Sequence, residues 1–181
     1  MKERLLRRAL ALAVLAAMLA CTALQGLAAY PMPVATTYPD ESVYLFDLDT
    51  GKTILEQNAD QPRYVASLTK MMTALLYLES GLDLQQAVTV PTSLTQEFTD
   101  IQNANGSTIG LRIGETVRRR DLLYGLVVAS ANDAASVIAS DLAGGDITAF
   151  VARMNARAAE LGCTDTNFTC PHGLYDYGNV S

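Results

Sequence analysis

A serine and a lysine three residues apart, Ser67-Leu68-Thr69-Lys70, open a segment of helical periodicity. Residues i and i+3 share one face of a helix, so a hydroxyl and an amine at this spacing can meet. A serine at a helix N-terminus lies where the backbone dipole favours a developing oxyanion. A lysine in apolar surroundings loses affinity for its proton and can serve as the base that activates the serine. The simpler alternative is a surface helix start with a solvated lysine. Against it, Lys70 is the last lysine in the chain, and its turn is otherwise almost wholly apolar.

Ser130-Ala131-Asn132 is the second candidate. It follows the apolar run Leu126-Val127-Val128-Ala129 and precedes a further helical segment. Polar residues between two buried helices suit a site, or an N-cap in which Ser130 or Asn132 closes the helix beginning near Asp133. The one histidine, His172 in Pro171-His172-Gly173-Leu174, invites a Ser-His-Asp triad. No Gly-x-Ser-x-Gly supports it, since Ala66 and Leu68 flank Ser67. A turn histidine held by local hydrogen bonds is the preferred reading.

The elements that must position these residues run strands first, helices after. Ser42–Asp47 and Thr53–Glu56 around the turn Asp49-Thr50-Gly51-Lys52 predict a hairpin. Leu68, Met71, Met72, Leu75, Leu76 and Leu78, falling mostly on one side, predict a helix from Ser67 with Gly81 at its stop. Residues 82–114 read as turn-rich, broken at Asn103–Gly106. Thr116 is a candidate N-cap for a helix through Leu122, Leu123, Leu126 and Val127. Asp133–Leu142 predicts a buried helix, and Asp146 caps a third through Phe150, Met154 and Leu161 to Gly162. The order gives an α+β class rather than alternating βαβ units. A lone hairpin is marginal in water, so further strands are expected beside it.

The chain has 181 residues, 50% hydrophobic and 18% charged, which excludes extended disorder and a polytopic membrane protein. The first eight residues hold four bases and one acid, leaving nine bases against eighteen acids in the body. So acidic a body makes a nucleic-acid partner unexpected, because phosphate contacts need Lys and Arg. Residues 1–28 read as a secretory signal peptide, with a basic start, the apolar run Leu10–Leu19 and small residues at Gly26 and Ala28. An uncleaved anchor and a lipoprotein signal at Cys21 are the alternatives, and all three place the body outside the cytoplasm. Residues 29–39, with Pro31, Pro33 and Pro39, read as a linker. Cys163 and Cys170 are either a short-loop disulfide or two half-buried thiols. Neither has His or Asp partners at ligand spacing, so no metal or other cofactor is expected.

With their flanks, these motifs resemble the penicillin-recognising serine enzymes. Tyr44-Leu45-Phe46-Asp47, Asp49-Thr50-Gly51-Lys52, Ala66–Ala74, Ser130–Ala135, Met154-Asn155-Ala156 and Pro171–Leu174 are similar to the D-alanyl-D-alanine carboxypeptidases. The resemblance covers about residues 40–178. It implies a β-lactamase/transpeptidase-like fold, an antiparallel sheet with a helical cluster. It also implies a reaction in which a serine attacks the D-Ala-D-Ala bond of a peptidoglycan stem peptide, forms an acyl-enzyme and releases the terminal D-Ala. By resemblance Ser67 is the nucleophile, Lys70 its base, Ser130 the proton relay to the leaving amine and Asn132 the residue that orients the substrate amide. β-Lactam antibiotics are the implied covalent inhibitors.

The third motif of that family, Lys-Thr-Gly on a late strand, is absent, since Lys52-Thr53 is followed by Ile54. The chain is therefore read as an N-terminal, truncated part (40–181) of an exported penicillin-binding peptidase, whose own activity is open. A class A β-lactamase is the first rival. It would need a Glu with an Asn four residues later, whereas Glu160 is followed by Thr164, and Ala131 stands where Asp is expected. An exported module that binds cell-wall peptide without turnover is the second.

Overall fold

The computed structural model describes residues 40–174 and 178–181. The signal peptide and linker read from the sequence lie outside the described residues. Among the described residues, 40–61 belong to one compact unit and those from Pro62 to Ser181 to a second.

In the first unit, strands β1 (Val43–Asp47) and β2 (Lys52–Gln57) form the expected antiparallel hairpin. Asp47 sets the turn: its carboxylate accepts from Asp49 N–H at 2.9 Å and Thr50 Oγ1 at 2.6 Å. Gly51, at φ +67°, takes the left-handed corner that a side chain would resist.

The second unit is helical. It comprises α1 (Thr69–Glu79), α2 (Thr95–Asn103), α3 (Arg119–Val128), α4 (Asn132–Leu142) and α5 (Ile147–Glu160). A short two-stranded sheet pairs β3 (Ala87–Thr89) with β4 (Thr116–Arg118). Helix α4 is central, buried from Asn132 through Ser140 as its composition requires. One apolar cluster gathers Tyr77, Leu94, Leu122, Leu126, Val137 and Ile138, and another Met72, Leu76, Ala139, Phe150, Met154 and Phe168. Asp146 caps α5 as expected, accepting from Ala149 N–H at 3.0 Å.

Three expectations need correction. Thr116 is no cap: it begins β4, and the helix starts three residues later at Arg119. The stretch read as turn-rich contains α2, whose Phe98 and Ile101 face inward while Gln96 and Asp100 bond to each other on the outside. Helix α1 follows its apolar count only in part: Met72 and Leu76 are buried, but the six residues do not share one inward face. Leu68, Met71 and Leu78 are exposed, whereas Thr69, Lys70 and Thr73 are buried. A helix apolar nearly all round carries no directional signal, so the partners of its few polar side chains decide its orientation.

Candidate active site

Ser67 sits on a single 3-10 turn, Ala66–Leu68, that runs into α1. Lys70 lies one turn on, and the predicted meeting occurs: Lys70 Nζ donates to Ser67 Oγ at 3.0 Å. A second donation, to the His172 carbonyl at 3.0 Å, fixes the amine from the opposite side. Lys70 is only 4% exposed, and burial pulls its pKa down to about 8 against the opposing charge of Cys170. Thr73, one turn further, donates to the Pro171 carbonyl at 2.6 Å. The inward polar face of α1 thus exists to hold the turn Pro171–Gly173.

That turn lies so close that a Cβ on Gly173 would come within 2.0 Å of the Ala66 carbonyl oxygen. Gly173 also has φ +75°, a conformation side chains disfavour. Ala66, at φ +45°, carries backbone strain directly before the serine.

Ser130 arrives from the end of α3. Its Oγ donates to Ser67 Oγ at 3.1 Å, with Ser130 itself in the left-handed region at φ +52°. The N-cap alternative for Ser130 and Asn132 does not hold: Ala131 is the cap position of α4, with no side-chain cap bond. Asn132 instead donates through Nδ2 to the Ser107 carbonyl at 3.0 Å and, through its backbone N–H, to the same carbonyl at 2.8 Å. Its Oδ1 is buried without a hydrogen-bond partner.

Asp133 braces this corner from beneath, accepting the N–H groups of Ile109, Leu111 and Ala134 at 2.9–3.2 Å. Three N–H donors to one buried carboxylate tie the loop before β4 to the start of α4. Sequence reading passed over Asp133, although an acid in the first turn of an apolar helix is a signal for such a brace. It also passed over Glu97, which lies on the helix it did not find.

His172 is buried, with Nε2 2.8 Å from Glu97 Oε1 and Nδ1 accepting from Leu174 N–H at 3.1 Å. It sits in a turn as anticipated, but its Nε2 partner lies 75 residues away rather than nearby in the chain, and its carbonyl rather than its ring meets the Lys70 amine. The His172 hydrogen bond holds the Glu97 carboxyl below its usual range, against the effect of burial. Cys163 and Cys170 are free thiols, so the disulfide alternative is not realised. Ser67, Lys70, Met71, Leu126, Val127 and Ser130 line a cleft of about 180 Å³. A hydroxyl between an amine and a second hydroxyl, at the floor of a cleft, suits attack on a carbonyl with proton transfer on both sides.

A profile of the family described as D-alanyl-D-alanine carboxypeptidase matches residues 31–181. The chain is 34% identical over 143 residues to a D-alanyl-D-alanine endopeptidase of Pseudomonas aeruginosa, covering 79% of this chain and 44% of that protein. It is 36% identical over 141 residues to the D-alanyl-D-alanine carboxypeptidase DacF of Bacillus subtilis, covering 78% and 35%. Among solved structures, an S216A mutant of the Streptomyces K15 DD-transpeptidase superposes with a TM-score of 0.69 at 33% identity, over 76% of this chain and 54% of that one. Penicillin binding protein 5 from Haemophilus influenzae gives 0.61 at 33% identity, over 72% and 38%. The chain thus spans less than half the length of these two curated relatives. Fold and sequence agree, and the chain belongs to the D-alanyl-D-alanine carboxypeptidase family.

Proposed function

We propose that this chain carries the nucleophilic half of a serine D-Ala-D-Ala carboxypeptidase acting on peptidoglycan stem peptides outside the cytoplasm. The observation that supports it most is Ser67 Oγ within hydrogen-bond reach of both Lys70 Nζ and Ser130 Oγ. Neutral Lys70 takes the Ser67 proton as Oγ attacks the carbonyl of the D-Ala-D-Ala bond. Ser130 passes a proton to the departing amine of the terminal D-Ala. The Ser67 N–H lies in the first turn of a helical segment, where N–H groups lack intrahelical partners, which supports its donating to the oxyanion. Asn132 offers its unpartnered Oδ1 to a substrate amide N–H. Water then releases the acyl group.

A β-lactam is the test reagent, because its strained amide acylates the same serine. Incubation with penicillin should add the drug's mass to the tryptic peptide Tyr64–Lys70, and Ser67→Ala should abolish the adduct. An adduct that survives in Ser67→Ala sinks the assignment. Slow release marks a carboxypeptidase and rapid turnover a β-lactamase. Reversible binding of stem peptide without any adduct marks a binding module.

A further inference from the structure

Cys170 takes no part in the chemistry proposed above, yet its sulfur is heavily bonded. Gly173 N–H and Asn179 Nδ2 each donate to Sγ at 3.1 Å, and His172 Nδ1 lies 3.6 Å away. Across the ring, His172 Nε2 meets Glu97 Oε1 at 2.8 Å. A thiol beside a ring nitrogen whose far side is oriented by a carboxylate is the arrangement that activates sulfur nucleophiles. Two N–H donors aimed at one sulfur favour the thiolate, the stronger acceptor and the reactive form.

We propose that Cys170 is a redox modification site, a nucleophilic thiol that reacts with hydroperoxides to give a sulfenic acid. Sγ attacks one peroxide oxygen; the S–O bond forms as the O–O bond breaks. Sulfur supplies two electrons and the peroxide is reduced. Sγ reacts as the thiolate, and the departing oxygen takes a proton from solvent and leaves as water or an alcohol. The charged and titratable groups around the sulfur are His172, Glu97 behind it and the Lys70 amine. Burial pushes the thiol up, but the hydrogen bond and charge of His172 and the Gly173 N–H outweigh it and bring it to about 7. Cys163, seven residues earlier, is exposed and serves as an internal reference.

The site also touches the base. The turn that surrounds Sγ presents the His172 carbonyl to Lys70 Nζ. An oxygen or alkyl group on Sγ has to displace the Gly173 and Asn179 donors, and the turn moves with them. This second effect rests on the function proposed above.

The experiment compares the two cysteines in one tube. Limited iodoacetamide at pH 7 is followed by cleavage before Asp165, which separates Cys163 from Cys170 for mass spectrometry. Accessibility alone would label Cys163 first. We expect Cys170 to react about fivefold faster or more, as thiolate fraction controls the rate. Hydrogen peroxide followed by dimedone should tag Cys170 in preference in the same way. His172→Asn should drop Cys170 below Cys163, and the milder Glu97→Gln should slow it about threefold while the helical circular dichroism is retained. Equal or faster labelling of Cys163 in the parent chain overturns the proposal, as does a Cys170 rate unmoved by a folded His172 or Glu97 variant. At a pH above about 9, where Lys70 is already largely neutral and loss of the Cys170 charge adds nothing, capping Cys170 should lower penicillin uptake at Ser67 several-fold in the parent and leave Cys170→Ser unaffected. Undiminished uptake on the fully capped chain overturns the coupling to Lys70. A parent chain that takes up no penicillin before capping counts against the acyl-enzyme reading, and the labelling rates still decide the thiol proposal.

Discussion

Lys70 can act as a base only while its amine is unprotonated. Burial brings its pKa to about 8, so at neutral pH a minor but useful fraction is neutral. Acylation of Ser67 by a β-lactam should therefore climb with pH, close to tenfold per unit below 8, and level off above it. A profile flat from pH 6 to 9 would remove Lys70 from the role. The Cys170 charge supports the ammonium form, so Cys170→Ala should move the midpoint to lower pH. The same displacement bears on stability. An unfolded lysine holds its proton to a pH of about 10.4. The unfolded chain therefore binds more protons between about 8 and that value, and the contribution of Lys70 to stability rises with pH across this window.

At the scale of elements, the site is made where segment ends are pinned together. Gly173→Ala places a methyl group against the Ala66 carbonyl and in a left-handed conformation. It should cost about 1–3 kcal/mol, seen as a lower urea midpoint, and should also slow acylation because the same turn holds Lys70. Asp133→Ala removes the acceptor of three backbone N–H groups at the start of α4. With buried donors left unpaired, a loss of about 3 kcal/mol is expected, together with loosening of Ser130 and Asn132. Asp133→Asn keeps one acceptor oxygen and should recover part of the stability. Equal midpoints for the two variants would mean the carboxylate is not the brace.

Across Pro62–Ser181, helices α1 and α4 each supply side chains to both apolar clusters. Arg119 adds a further tie: its Nε and Nη2 grip Asp141 at 2.8 and 3.1 Å, and Tyr77 donates to the same carboxylate. The clusters should therefore unfold together. Phe150→Ala, in the cluster away from Leu122 and Leu126, should cost about 3–5 kcal/mol. Signals from both clusters should shift by the same amount in thermal melts. Separate transitions would show that the unit is two folding blocks.

The serine–lysine spacing, the serine of the second motif, the hairpin, the capped helix α5 and the buried character of α4 are legible along the chain. Each is a local matter of i to i+3 geometry, turn chemistry or unbroken apolar composition. The orientation of α1 is not legible there and is set by distant contacts. Its polar inner face is chosen by carbonyls about a hundred residues away, and a local apolar count cannot see them. The same holds for Ser130, whose reach to Ser67 spans 63 residues of chain and depends on Asp133 and Ser107 holding its corner. Helix α2 was hidden because its polar residues outnumber its inward ones, yet it delivers Glu97 to His172. Spacing along a chain fixes what one helix turn can bring together, while burial and long-range hydrogen bonds fix the rest.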